Sequence, residues 1–142
     1  MGDLRWFFQR DGRLSFGLRT GPASDDRRFE YTATTPVFGE TTLGRWVTVA
    51  TVLDTTAGTV SHYLDGEAAD VGILKRSTDA VLGALELGNW GIQPDDPRWT
   101  WTKSGGPAVS QRNFAGRIDQ FALLSRVLSP EEIRTYSQAG GK

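Results

Sequence analysis

The sequence predicts an all-β protein, a two-layer antiparallel β-sandwich that carries one short C-terminal helix. Short runs of alternating apolar and polar residues recur along the chain, and 17 glycines and six prolines imply many turns between them. A helix start is signalled clearly only once, near the C-terminus. The 142 residues suggest a single domain over residues 1–142, long enough to bury a substantial core. We expect this domain to be a module of a larger protein.

The N-terminal part of the chain predicts a β-hairpin. Runs at residues 4–10 and 13–19 flank Asp11 and Gly12, a pair that suits the positive-φ turn between hairpin strands. Apolar residues occupy every second position of the second run, which predicts one buried face and one solvated face. Further strands are predicted at residues 29–34, 46–53, 59–65, 71–74, 82–88 and 115–126.

The predicted helix covers residues 130–139. Ser129 and Glu132 have the spacing of a capping box, in which each side chain accepts a backbone N–H of the other residue. Ile133 and Tyr136 are three positions apart, so we expect both to lie on the face that packs against the sheets.

Composition excludes several kinds of partner. The formal net charge is −1, which gives no electrostatic reason to expect nucleic acid as a ligand. No apolar run is long enough to insert into a bilayer. The chain contains no cysteine, which excludes disulfides and thiolate metal sites.

Three parts of the sequence are similar to a known family. They are the paired segments 46–50 (WVTVA) and 62–66 (HYLDG), then 85–90 (LELGNW), and finally 112–133. Their order resembles the laminin-G-like domains of the concanavalin A-like lectin and glucanase superfamily, and looks closest to those attached to bacterial FecR-like anti-sigma regulators. The most specific part is a Gly-x-Ile-Asp strand followed by Leu-Ser-x-Glu-Glu-Ile, and the resemblance covers about residues 42–140.

The resemblance implies a jelly-roll sandwich with a binding role. The leading hypothesis is that the chain is a non-catalytic module that recognises a carbohydrate or protein outside the cytoplasm, in the periplasm or at the cell surface. Such domains usually begin with several strands that precede the first hairpin found here, so N-terminal strands are expected to be missing. A missing edge would invite strand pairing with another chain. The alternatives are a structural or oligomerising domain without a small ligand, and a divergent glycan-active enzyme.

No catalytic residue is predicted. The glucanases that the sequence resembles carry a Glu-x-Asp-x-Glu strand, which this chain lacks. Retaining hydrolysis needs two carboxyl groups about 5 Å apart. The acidic pairs are at residues 25–26, 95–96 and 131–132, and adjacent residues on a strand point to opposite faces.

The candidate ligand surface lies in residues 91–113, a long segment of little periodicity. In an extended segment Trp99 and Trp101 share one face, where they form either a sugar-stacking platform or a lid folded over the core. Trp46 and Trp90 are predicted core residues. The candidate ligand-binding residues are Trp99, Trp101, Asp95, Asp96 and Arg98.

A cofactor is not expected, although calcium is the one metal with candidate ligands. Many laminin-G-like domains hold calcium at a rim of the sandwich, so the resemblance makes a similar site conceivable here. Calcium needs six to eight oxygen ligands, and Asp54, Asp95 and Asp96 fall in predicted loops. No contiguous calcium-binding loop is present.

Three further polar residues are predicted to serve the fold. His62 is the one histidine of the chain and shares a face with apolar residues, so we expect it to be buried and hydrogen-bonded. Asp65 should accept N–H groups in its own turn. Asp119 is expected to accept a hydrogen bond from nearby backbone or from Arg117, and the alternative is that it is a ligand.

Overall fold

The computed structural model describes residues 3–9, 11–19, 28–74 and 116–140. Two compact units make up the chain: Met1–Gly83 with Leu123–Lys142, and Ala84–Ala122. The first unit contains, within the described ranges, the strands β1 (Asp3–Phe8), β2 (Arg13–Arg19), β3 (Arg28–Pro36), β4 (Val49–Asp54), β5 (Thr59–Leu64) and β6 (Glu67–Ile73), a short 3-10 helix (Glu40–Thr42) and the helix α1 (Pro130–Gly140). The prediction of a single domain stays a prediction.

The first sheet is antiparallel with the strand order β1-β2-β3. Its first hairpin turns at the predicted residues: Gly12 has a φ of 82°, and the Asp11 carboxylate accepts the backbone N–H of Arg13 at 3.2 Å. A Cβ atom on Gly12 would lie 2.0 Å from the carbonyl oxygen of Phe38. Glycine is therefore required at this turn for both its backbone angle and its lack of a side chain.

The prediction that one face of β2 is solvated was wrong. Leu14 and Ser15 occupy opposite faces of this strand, and both are 0% exposed. The Ser15 hydroxyl is satisfied by Thr32 Oγ1 at 2.7 Å and by the side-chain amide of Gln9 at 2.9 Å. The side chains of Gln9 and Thr32 lie against Ser15, so a serine at the expected solvent face is buried and finds polar partners there.

The second sheet is also antiparallel, in the order β4-β5-β6. Its second turn has positive φ at Asp65 (51°) and Gly66 (86°), which matches the twist of a tight hairpin. The strand β6 starts directly after this turn, four residues earlier than predicted. A register shift pairs His62 with Asp70 but Tyr63 with Ala68, so β6 contains a bulge.

The two sheets contact each other through side chains. Trp6 of β1 bonds to Thr51 of β4, and Thr34 of β3 bonds to Asp70 of β6. The core cluster contains Phe16, Val60 and Leu74, with Tyr31 and Leu53 packed against it. The chain is thus mostly β, with two antiparallel sheets and one C-terminal helix, but the described strands do not close a complete sandwich.

The predicted strand at residues 115–126 is not formed in its described part. Residues 116–129 have no regular secondary structure, and their large apolar side chains are about half exposed, among them Ile118 (50%), Phe121 (48%) and Leu123 (50%). An apolar run becomes a strand only when a neighbouring strand accepts its hydrogen bonds. No strand is assigned within residues 116–129. The predicted strand at 82–88 lies outside the described residues.

The helix α1 begins as predicted. Ser129 N–H donates to Glu132 at 2.8 Å, and Glu132 N–H donates to Ser129 Oγ at 3.2 Å, which completes the capping box. A bidentate ion pair with Arg126 and the Ser129 N–H lower the pKa of Glu132 to about 2. The start of the helix is therefore fixed by three residues from the preceding segment and its first turn.

The buried face of α1 differs from the predicted one. Ile133 and Ser137 are buried, whereas Tyr136 is 57% exposed, so the packed positions are four residues apart. The helix lies against the β5–β6 turn, where a Cβ atom on Gly66 would be 2.9 Å from Arg134 Cα. Arg134 also pairs with Glu67 at 3.0 Å. Among the helical residues of the described ranges, none belongs to a helix long and apolar enough to cross a membrane.

Candidate functional site

The predicted ligand surface lies outside the described residues. This applies to all five of its candidate residues and to Trp90: Trp99, Trp101, Asp95, Asp96 and Arg98 fall in the range 75–115. Both readings of the two tryptophans, as a sugar-stacking platform or as a lid, therefore stay predictions.

Asp54 is the one predicted calcium ligand within the described ranges. Its Oδ1 accepts the backbone N–H groups of Thr56 at 2.9 Å and Ala57 at 2.8 Å, so the carboxylate organises the β4–β5 turn. Nowhere in the described ranges do three histidine, cysteine, aspartate or glutamate side chains form a group that could hold a metal ion.

A row of polar side chains crosses the interior between the two sheets. Strand register places Thr51, His62 and Asp70 side by side on the second sheet. Trp6 Nε1–H donates to Thr51 Oγ1 at 2.6 Å, and Thr51 Oγ1 lies 2.8 Å from His62 Nδ1. The threonine oxygen accepts from the indole, and it can either donate its own proton to Nδ1 or accept from Nδ1–H. These hydrogen bonds connect Trp6, Thr51 and His62 and are compatible with either tautomer of the imidazole.

His62 is buried and electrically neutral near pH 7. Its side chain is 0% exposed, and its ring stacks on Tyr31 with centroids 5.3 Å apart and planes 19° from parallel. Burial lowers the pKa of His62 from 6.5 to about 4, although the nearby Asp70 carboxylate opposes the shift. The predicted interior position is confirmed, but the ring is only half satisfied because Nε2 has no hydrogen-bond partner among the described residues.

Asp70 joins the two sheets at the other end of this row. Its Oδ2 accepts both the backbone N–H and the hydroxyl of Thr34, the latter at 2.8 Å, and its Oδ1 accepts Val71 N–H at 2.8 Å. Burial raises the pKa of Asp70, but these hydrogen bonds outweigh it and leave the pKa below 3.8. Burial and the Asp70 carboxylate together raise the pKa of Tyr31 to about 12, while no group in the described part of the chain meets its hydroxyl oxygen in hydrogen-bond geometry.

The chemistry of this interior row is structural. Thr51, His62 and Asp70 use their hydrogen bonds to connect neighbouring strands and the two sheets. A buried, neutral imidazole without access to solvent can neither take a proton from a large substrate nor bind it.

Trp46 is exposed, which contradicts its predicted place in the core. The indole is 59% exposed, and the neighbouring Leu43 is 75% exposed. The predicted strand began at residue 46, but β4 begins only at Val49, so Trp46 lies in the connection that precedes the strand. Next to Trp46 in sequence, Arg45 forms an ion pair with Asp65 at 2.7 Å.

The backbone near Trp46 is held by Asp65. Its Oδ1 accepts Thr48 N–H at 2.9 Å, and its Oδ2 accepts from Arg45 at 2.7 Å. Asp65 N–H also donates to the Thr48 carbonyl at 2.8 Å. Asp65 thus lies in its turn as predicted. The backbone N–H that it accepts belongs to Thr48, in the segment just before β4, and not to the turn itself.

The expected partners of Asp119 are not observed. Asp119 and Arg117 are both exposed, and neither makes a hydrogen bond or ion pair in the described part of the chain. The prediction that Asp119 accepts from Arg117 or from nearby backbone was wrong, because the strand that would have fixed its geometry is not formed.

Sequence reasoning missed Thr51, Asp70 and Tyr31. Counting back from the β4–β5 turn places Thr51 opposite His62, which is a signal that the sequence contains. Asp70 is opposite His62 only because of the bulge in β6, and no residue pattern marks that bulge.

Comparison with known proteins gives one family and one solved structure. The laminin-G-like model Laminin_G_3, described as the concanavalin A-like lectin/glucanases superfamily, matches residues 2–134. No curated protein gives a significant match. A crystal structure of an S-layer domain-containing protein from Clostridium thermocellum is similar at 20% sequence identity and a TM-score of 0.46. The similarity covers 94% of this chain and 55% of the other, so the chain spans little more than half of that structure.

Proposed function

Because the chain belongs to the concanavalin A-like lectin/glucanases superfamily, we propose that it is a non-catalytic module that binds a carbohydrate or protein outside the cytoplasm. The family match over residues 2–134 is the observation that carries this proposal. The periplasm or the cell surface is its proposed location, as part of a larger protein. The same proposal includes a similarity of this chain to the laminin-G-like domains that are attached to bacterial FecR-like regulators.

The state of four of the described carboxylates supports a role without catalysis for these four. Asp54, Asp65, Asp70 and Glu132 each accept at least one backbone N–H, which ties them to turns, strands or the helix start. A general acid or nucleophile must face the substrate with a free oxygen. These four side chains are instead used to hold the backbone.

We propose residues 91–113 as one ligand surface, with Trp99 and Trp101 as its stacking side chains. In a platform, Trp99→Ala or Trp101→Ala should weaken binding to immobilised polysaccharide by about 1–3 kcal/mol and leave thermal melting unchanged. In a lid over the core, the same changes should remove about 3–5 kcal/mol of stability. Melting and binding measured on the same two variants therefore separate a ligand site from a structural role.

A structural or self-associating domain is the second candidate function. The exposed apolar side chains before the helix favour it: Ile118, Phe121, Leu123, Leu124 and Val127 are each 46–50% exposed. Exposed apolar chain with unpaired backbone can add to the sheet of another molecule. Sedimentation equilibrium over a hundredfold concentration range tests it, since a monomer throughout would leave the ligand-binding proposal alone.

A further inference from the structure

We infer that the interior row between the two sheets is a binding site for one water molecule, held by His62 Nε2, the Tyr31 hydroxyl and the Asp70 carboxylate. The inference concerns the interior of the first unit and is independent of the proposed binding function, which needs a surface for a glycan or a protein. It assigns a shared ligand to two buried polar groups that the described residues leave without a partner.

The two unpartnered atoms are the first observation. Tyr31 Oη and His62 Nε2 are both buried, and no described residue meets either of them in hydrogen-bond geometry. A buried polar atom that has lost its contact with solvent is destabilising unless it regains a hydrogen bond. Folded proteins therefore pair nearly all such atoms, either with protein groups or with ordered water.

The packing of Tyr31 places these groups close together. Its ring stacks on the His62 ring, with centroids 5.3 Å apart and planes 19° from parallel. The same ring lies directly on β6, because a Cβ atom on Gly72 would be 2.4 Å from its carbon atoms. Gly72 and Asp70 are two residues apart and share the interior face of β6. The Tyr31 hydroxyl thus lies near the Asp70 carboxylate, which contributes to the raised pKa of the tyrosine.

Asp70 can serve as the third partner. It is opposite His62 in the strand register, and its charge opposes the lowering of the His62 pKa. Its Oδ2 accepts two hydrogen bonds from Thr34, whereas its Oδ1 accepts one, from Val71 N–H. A carboxylate oxygen has two lone pairs, so Oδ1 can accept one further donor.

The hydrogen-bonding needs of the three groups match a water molecule. Water both donates and accepts, so it can donate to a bare Nε2 or accept from Nε2–H, and the Tyr31 hydroxyl has the same freedom. Asp70 only accepts, and water has two protons to give. A buried water makes about three hydrogen bonds to groups that protein atoms leave unsatisfied, which is the number available here.

Charge and burial favour water over an ion or a larger molecule. His62 is neutral near pH 7, and a pKa of about 12 keeps the Tyr31 hydroxyl protonated. The Asp70 charge is already stabilised by three hydrogen bonds, so it requires no counterion. Since His62 is 0% exposed, a ligand beside its ring is enclosed by protein, which fits a molecule as small as water.

The test is magnetic relaxation dispersion of water oxygen-17, which counts the long-lived internal waters of the full chain in solution. The double variant Tyr31→Phe/His62→Leu removes both unpartnered groups and should hold one long-lived water fewer than the wild type. Tyr63→Phe removes the hydroxyl of the next residue on β5, which is 8% exposed, and should leave the count unchanged. Equal counts in the wild type and the double variant would overturn the inference.

A crystal structure of the unmutated chain at high resolution covers the case in which the double variant does not fold. We expect electron density for a water oxygen within about 3.2 Å of both His62 Nε2 and the Tyr31 hydroxyl. A direct hydrogen bond from Tyr31 to Asp70 with no density beside Nε2 would contradict the inference. Neither result changes the proposed binding function, which depends on glycan and protein ligands.

Discussion

Protonation of His62 should destabilise the protein below pH 6.5. The folded protein holds the imidazole neutral, with a pKa of about 4, whereas in the unfolded chain the ordinary value of 6.5 applies. The unfolded state therefore binds a proton more readily than the folded state. Stability from this residue is complete above pH 6.5 and is lost progressively as the pH falls toward 4.

The two pKa values set the size of the effect. They differ by about 2.5 units, and each unit corresponds to 1.36 kcal/mol, so the full loss is about 3 kcal/mol. Between pH 7 and pH 4.5 the expected loss is roughly 2.5 kcal/mol, because the linkage is not complete at either limit. Asp70 has a pKa below 3.8, so its contribution is lost mainly outside this window.

The assay is urea denaturation of the wild type and of His62→Leu at half-unit steps from pH 7.5 to pH 4.5. Leucine has a similar volume and does not titrate, so its unfolding free energy should be nearly flat where that of the wild type falls. Titration of the His62 ring carbons by NMR gives the folded pKa independently. Parallel stability curves for the two proteins, or a folded pKa near 6.5, would refute the buried, neutral histidine.

Three further predictions concern the turns, the helix and catalysis. In chemical denaturation, Gly12→Ala should lower the free energy of unfolding by more than about 1 kcal/mol, because the new Cβ atom would clash with the Phe38 carbonyl and the backbone has a positive φ. Gly39→Ala is the control, since no atom lies within 4 Å of the Cβ position there. Ser129→Ala should reduce the free energy of unfolding by about 1 kcal/mol, and an unchanged denaturation midpoint would mean that the cap does not stabilise the fold. No polysaccharide should be hydrolysed faster than in buffer, and turnover abolished by a single aspartate or glutamate substitution would show an enzyme.

Local signals in the sequence predicted most of the first unit. Gly12 needs a positive φ, and Ser129 with Glu132 forms a reciprocal cap, so the hairpin and the helix start were identified from a few residues each. The strands β2 and β5 were placed within one residue of their observed bounds, since alternation is clear where a strand is short and bounded by turns.

Burial was harder to predict because it depends on neighbours that are distant in sequence. Ser15 lies on a face that alternation assigns to solvent, but the side chains of Gln9 and Thr32 lie against it and it is buried. Trp46 is exposed although its sequence context resembles a buried strand, since β4 starts three residues later. The segment before the helix has strand composition, but composition cannot supply the partner strand that it requires.

In the candidate site, too, the local features could be predicted from the sequence and the contacts between distant residues could not. The interior position of His62 follows from the apolar face of β5, whereas its link to Trp6 through Thr51 depends on how the two sheets face each other. The proposal of Trp99 and Trp101 as ligand residues rests on the length of the segment 91–113 and on their spacing of two residues.

The most direct test of the proposed function is a binding screen of the whole chain against immobilised glycans, with and without a calcium chelator. A non-catalytic binding module predicts saturable retention on at least one class of glycan, with the glycan recovered intact. Retention lost in chelator would identify calcium as part of the site, and retention unchanged would exclude it. A chain that binds no glycan, captures no protein ligand and self-associates reversibly would contradict the account and leave the oligomerising domain in its place.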